Sequence, residues 1–297
     1  MTYWQNYHLA KDLADALRAL EGAPAPVEVL AGGTDLLLDL QQGRHAPVHT
    51  LVDVTGIPEL KAIEMRGEKL FVGAAAPLRT IVDSPLVGEH AQALVEACGL
   101  IGGPQVRNTA TLGGNVAHAL PAGDGTIALL TLGAQAEIAD ANGCRQVPIE
   151  TLFAGPGQST LKKGREVLVG FYMEARGAGE ASAFRRVMRP QGVAIAILNL
   201  GAWLRREGDT LVDARIAVGP SGPVPRCMKA AEQALRRQDY REEVIEAALA
   251  ALLEEASFRN SRHRASEDYR RQMAGVLLRD ALGAAWARAG DQGELAV

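Results

Sequence analysis

Two stretches of this 297-residue chain combine residue types whose spacing could do chemistry. The first runs Val29-Leu30-Ala31-Gly32-Gly33-Thr34-Asp35-Leu36: an apolar strand, two residues without side chains, a hydroxyl and the start of a helix. Such a turn suits an anion. Glycines let backbone N–H groups approach a phosphate, Thr34 adds a donor, and a helix N-terminus contributes partial positive charge worth ~0.3–1 kcal/mol. The pattern is neither G-x-G-x-x-G nor a lysine-bearing phosphate loop, and a plain strand-to-helix turn capped by Thr34 or Asp35 explains it equally well. The second stretch runs from Gln105 to Asp124, with almost no large side chains, donors at Thr111, Asn115 and His118, and a carboxylate at Asp124. Small residues with interspersed polar groups suit a pocket walled by backbone around a large, flat, polar ligand, whereas a long surface loop is the bland alternative.

The elements that must position these stretches follow from hydrophobic spacing. Leu9, Leu13, Leu17 and Leu20 predict a first helix, closed by Gly22, Pro24 and Pro26. Residues 27–31 predict a strand, Leu36 to Gln42 a short helix ended by Gly43, and residues 50–54 and 69–73 further strands. A helix is expected over 84–100, with Ser84 as cap and Pro85 at its first position, and another resuming near Thr126, for which Asp124 could serve as N-cap. Beyond the apolar run 167–173, residues 177–181 form a link and mark the main domain boundary. Residues 183–187, 194–205 and 211–218 then predict an antiparallel meander, and 228–237, 241–257 and 264–288 predict amphipathic helices.

Composition narrows the classes. Lys plus Arg number 31 against 35 Asp plus Glu, net charge −4, without the dense basic face that nucleic acid rewards. No stretch approaches the length of a membrane span, and the opening MTYWQNYHLAKDLADAL lacks the order of a signal peptide, so a cytoplasmic protein is expected. Cys98, Cys144 and Cys227 fit neither zinc nor iron-sulfur spacing and are expected to be small buried hydrophobes.

Together these residues resemble a family, the flavin-binding medium subunits of molybdenum hydroxylases, the group of xanthine dehydrogenase and carbon monoxide dehydrogenase. The resemblance spans nearly the whole chain: the Tyr3 segment, Leu30 to Leu37, Val52 to Leu60, Arg107 to Asp124, Gly155 to Ser159, Ala183 to Val187, and Tyr269-Arg270-Arg271. It implies an α+β fold, with a two-subdomain FAD-binding domain of the vanillyl-alcohol-oxidase/PCMH type (1–57 and 58–176) followed by a three-stranded antiparallel sheet with a helical bundle (182–288). It further implies a noncovalent FAD whose pyrophosphate lies on Leu30, Ala31, Gly32, Gly33, Thr34, Asp35 and Leu36. Thr111, Gly114, Asn115, Ala117 and His118 would line the flavin and ribityl-diphosphate, Gly123 would be a further cofactor-binding residue, and Asp124 would accept hydrogen bonds from the cofactor. Ile101 would lie near the isoalloxazine ring, Leu168 along the cofactor and Arg185 near its polar edge; the alternative for Arg185 is a plain surface arginine.

By the same resemblance, molybdopterin and [2Fe-2S] clusters belong to partners, a large and a small subunit, and the expected activity is electron transfer from those clusters through FAD to NAD, a quinone or oxygen. The rival readings are a stand-alone flavin oxidase or dehydrogenase acting directly on a small molecule, with His118 or Asp124 as base, and a docking subunit with empty glycine turns. The chain departs from the family at Val193 and Arg262, where many members carry an acid, and its scattered cysteines cannot supply the extra cluster some members hold.

Overall fold

The computed structural model describes residues 2–189 and 195–290. Val193 and the start predicted at Ala194 for the second meander strand lie outside them. The first unit is β1 (Trp4–Leu9), α1 (Leu13–Gly22), β2 (Val27–Leu30), α2 (Leu36–Gln41) and β3 (Val48–Asp53). Its strands are parallel in the order β1-β3-β2, so the buried β3 is central and α1 and α2 lie on the connections. Leu9, expected on the first helix, instead ends β1 and is 54% exposed. The helix begins later because the Asp12 carboxylate accepts from the Asp15 amide at 2.7 Å, an N-cap that fixes the first turn.

The second unit holds β4 (Ile63–Arg66), β5 (Lys69–Gly73), α3 (Leu78–Asp83), α4 (Pro85–His90), α5 (Gln92–Leu100), α6 (Pro104–Arg107), α7 (Leu112–Ala117), α8 (Asp124–Thr131), β6 (Gln135–Asp140), β7 (Gly143–Pro148), a small hairpin of β8 (Phe153–Gly155) and β9 (Gln158–Ser159), and β10 (Val167–Glu174). Its antiparallel sheet runs β4-β5-β10-β6-β7. Leu70 and Val72 of the sheet share a core with Leu94 of α5, Leu112 of α7 and Ile127 of α8. The helix expected over 84–100 starts as read, with Ser84 capping Val87, but breaks at Ala91, whose φ of −141° and ψ of 51° are not helical. The connection 101–124 contains two short helices, α6 and α7.

The third unit is β11 (Glu180–Val187), β12 (Leu198–Glu207), β13 (Thr210–Gly219), β14 (Arg226–Cys227), α9 (Lys229–Leu235), β15 (Gln238–Asp239), α10 (Glu242–Glu255) and α11 (Glu267–Gly290). The meander is antiparallel as read, but two short strands enlarge it: β14 and β15 both pair with β13, making five strands where three were expected. The helices α9, α10 and α11 pack together on this sheet. Leu277, Leu278, Ala281 and Leu282 of α11 share a core with Leu198, Leu200 and Leu204 of β12, so α11 covers one face of the sheet. The opposite face packs on the second unit, where a Cβ on Gly201 would lie 2.2 Å from Thr131 Oγ1. Period-two alternation explains the split: Phe184 joins the second unit's core while Ala183 joins the core under α11.

Of the cysteines, Cys98 and Cys227 are buried as expected, and burial raises both thiols, that of Cys227 to about 12. Cys144 corrects the expectation: it is exposed, because β7 is an edge strand of the second sheet.

Candidate functional site

The first glycine turn joins β2 to α2 and is built from backbone. Gly33 has φ of +68°, a conformation that favours glycine, and the Val54 amide holds the end of β2 through the Leu30 carbonyl at 2.9 Å. The amides of Gly32, Gly33, Thr34 and Asp35 find no acceptor among the described residues. Successive N–H groups of this kind form an anion-binding concavity. Asp35 precedes α2 without a side-chain capping bond, so the carboxylate-capped version of this turn is not what forms.

The second turn is held by the sheet of its own unit. The Gly113 amide donates to Ala74 at 2.8 Å and the Leu78 amide to Ala110 at 2.9 Å, while Thr111 caps α7 by accepting from the Gly114 amide at 3.1 Å. The two turns touch: a Cβ on Gly32 would come within 2.3 Å of the Thr109 carbonyl oxygen and 2.8 Å of Ala110 Cα. On α7, Gly114 and Ala117 are exposed and His118 is partly so, which leaves a face of small residues at helical spacing. Asn115 Oδ1 accepts from the Thr126 amide at 3.1 Å, which fixes the side chain and leaves its amide donors available.

Between these turns and the third unit lies a cleft of about 1300 Å³. It is lined by Leu30, Ala31, Gly32, Gly33, Thr34, Asp35 and Leu36 on one side, and by Ile101, Thr111, Gly114, Asn115, Ala117, His118, Gly123 and Asp124 on the other. Two residues expected there are elsewhere. Leu168 is 8% exposed within the second unit's core, and Arg185 is drawn to Glu96 on α5 at 3.0 Å. On β11 it is the neighbour Arg186 that lines the cleft, sharing the face of Phe184.

Arg186 forms a buried ion pair with Asp124, whose other oxygen accepts from Asn199 Nδ2 at 2.6 Å. Burial raises the Asp124 pKa, and Arg186 and Asn199 oppose that shift. The N-cap reading of Asp124 is corrected: Gly123 precedes α8, and Asp124 is the first helical residue, turned instead toward the third unit. Arg186, Lys162, Lys163, Arg259 and Arg264 line the cleft and were missed in the sequence. For Arg186 the alternation of β11 was an available signal; the others come from loops that carry no pattern of their own.

These donors fit FAD. Four open amides and a positive-φ glycine suit a diphosphate, the small-residue face of α7 admits a flat ring system, and the cleft is large enough for an extended ligand.

Comparison with known proteins agrees. A family described as FAD binding domain in molybdopterin dehydrogenase matches residues 3–173, and one described as CO dehydrogenase flavoprotein C-terminal domain matches residues 182–285. The class is thus an FAD-binding flavoprotein, an oxidoreductase subunit. The carbon monoxide dehydrogenase medium chain of Hydrogenophaga pseudoflava is 31% identical over 95% of this chain and 97% of its own. The xanthine dehydrogenase FAD-binding subunit of Escherichia coli O157:H7 is 30% identical over 96% and 97%. A solved structure of Hydrogenophaga pseudoflava carbon monoxide dehydrogenase superposes with a TM-score of 0.90 at 30% identity, covering 97% of this chain and 99% of that one. This chain belongs to the family of FAD-binding medium subunits of the xanthine dehydrogenase and carbon monoxide dehydrogenase type, with their mixed α+β fold.

Proposed function

We propose that this protein is the electron relay of a molybdenum hydroxylase complex, taking electrons from [2Fe-2S] clusters of a small partner subunit and passing them to a terminal acceptor, with molybdopterin held by a large partner subunit. The relatives named as medium chains and FAD-binding subunits support an assembly of this kind, which we assign to the cytoplasm. FAD, when bound, accepts electrons singly or in pairs, which is the chemistry a relay needs.

In this proposal units 1–57 and 58–176 form an FAD-binding pair of the vanillyl-alcohol-oxidase/PCMH type, and unit 182–288 closes the cleft. The amides of Gly32 to Asp35 hold the diphosphate. Gly114, Ala117 and His118 present a flat wall, and Thr111 and Asn115 donate hydrogen bonds. Ile101 supplies apolar contact, and Gly123 lets the backbone approach closely. Asp124 orients the loop from its bond to Asn199 and its pair with Arg186. We move the role of cation beside the cofactor from Arg185 to Arg186 on the strength of the cleft lining.

The observation that carries the proposal is the meeting of two glycine turns in one cleft with open amides. A stand-alone oxidase is disfavoured by the same site, because Asp124, its carboxylate candidate for a base, is already engaged by a cation and an amide. The test is anaerobic stopped-flow: in the purified complex the flavin is bleached by the hydroxylase substrate, and in the isolated FAD-loaded chain it is not. Bleaching of the isolated chain at the complex's rate would contradict the relay.

A further inference from the structure

One corner of the third unit gathers three arginines, Arg259, Arg264 and Arg270, that pair with no carboxylate of the described residues. Arg270, in the first turn of α11, is 1% exposed, and its Nε and Nη1 are buried without a hydrogen-bond partner. The charged groups that bear on it are Arg259 and Arg264, both cations, on the connection 256–266 that leads into α11. Neither of these two makes an ion pair among the described residues. Other buried or half-buried arginines of this fold do have carboxylates: Arg186 has Asp124, and Arg288 has Glu96.

A buried guanidinium without a counter-ion is costly, because burial strips its hydration and no opposite charge repays the loss. The arrangement therefore calls for an anion that the described residues do not supply. Arg259 and Arg264 line the large cleft together with Ser257, so two of the three arginines are reached from it, Arg270 lies behind them, and Ser257 adds a hydroxyl donor. Guanidinium forks match the oxygen spacing of phosphate and bind it with paired hydrogen bonds. A flat protein surface is poorly suited to reach a guanidinium that is 1% exposed, whereas a small anion can enter the cleft.

We propose that Arg259, Arg264 and Arg270 form a binding site for a small phosphate-type oxyanion entered from the cleft. The phosphate could be the diphosphate of the FAD or belong to a second phosphate-bearing molecule; the chemistry is shared. The site itself does not depend on the flavin reading.

Calorimetric unfolding of the full chain in inorganic pyrophosphate, against sodium chloride at matched ionic strength, tests it. The wild type gains Tm in pyrophosphate, and Arg259→Gln and Arg264→Gln each weaken the apparent pyrophosphate affinity at least fivefold. Arg270→Met, which removes the uncompensated charge at similar length, raises Tm without the anion and abolishes the pyrophosphate-dependent gain. A drop in Tm for Arg270→Met without the anion would mean that the chain supplies its own counter-ion, and overturns the site. Equal Tm in pyrophosphate and chloride overturns it too, whatever Arg270→Met does, since no phosphate-type anion would then bind. Repeating the titration on FAD-saturated chain separates the sources: a persistent gain assigns the site to a second molecule, and a lost gain to the cofactor's diphosphate. A chain that binds no FAD yet keeps the Arg264-sensitive gain retains this site while refuting the flavin proposal.

Discussion

The two glycine pairs divide their labour in the same way, although one opens a helix after a parallel strand and the other sits in a long connection. In each, the first glycine permits a close backbone approach: a Cβ on Gly32 would meet Thr109 O at 2.3 Å, and one on Gly113 would meet Ala74 O and Cβ at 2.6 Å. The second glycine serves the cleft, Gly33 by adopting φ of +68° and Gly114 by leaving the α7 face bare. The wall contributed by the third unit is the opposite kind of construction, closed by side chains through Asp124, Arg186 and Asn199. A glycine pair in a chain can thus encode assembly at one position and ligand contact at the next.

The side-chain wall should break most sharply. Asp124→Ala removes the anion on which Arg186 and Asn199 converge, and a loss of about 3–5 kcal/mol is expected in denaturant unfolding. Next come the packing glycines. Gly32→Ala and Gly113→Ala drive a methyl into backbone or a packed alanine, and each should cost about 1–3 kcal/mol, with FAD affinity falling in Gly32→Ala because the two turns are forced apart. Gly33→Ala places a side chain in the left-handed region and should cost about 1–2 kcal/mol, measured in the same way.

The comparison sharpens at Gly114, where an added Cβ meets nothing nearer than Thr111 Oγ1 at 3.1 Å. Gly114→Ala should leave stability within about 0.5 kcal/mol while weakening FAD binding in fluorescence titration. Smallest of all is a chemical probe of the cores behind the turns: mass spectrometry should find one alkylated cysteine, Cys144, in the native chain at pH 8 and three after unfolding. Burial holds the Cys227 thiol at about 12 and raises that of Cys98, so both stay protonated and inaccessible.

Much of the site was legible because it is local. The turn at Gly32-Gly33 lies between a strand and a helix that the apolar spacing marks, and the small residues of 111–124 stand out against any core pattern. What was not legible depends on which distant element faces which. Arg185 and Arg186 are chemically identical, and only the packing of β11 against α5 and α8 decides that one meets Glu96 and the other Asp124. Leu9 kept helical spacing with its neighbours yet pairs in a sheet, since the Asp12 cap outweighs that periodicity. Strands β14 and β15, two residues each, hold too little pattern to be read at all and exist because β13 offers them an edge.

The most direct measurement is an FAD titration of the flavin-free chain followed by fluorescence quenching, with Gly114→Leu as its counterpart. The account predicts one FAD bound per wild-type chain, and a Gly114→Leu chain that folds with an unchanged Tm but binds FAD at least tenfold more weakly. A wild-type chain that takes up no FAD, or a Gly114→Leu chain that binds it as the wild type does, would contradict the claim that the two glycine turns together form the flavin site.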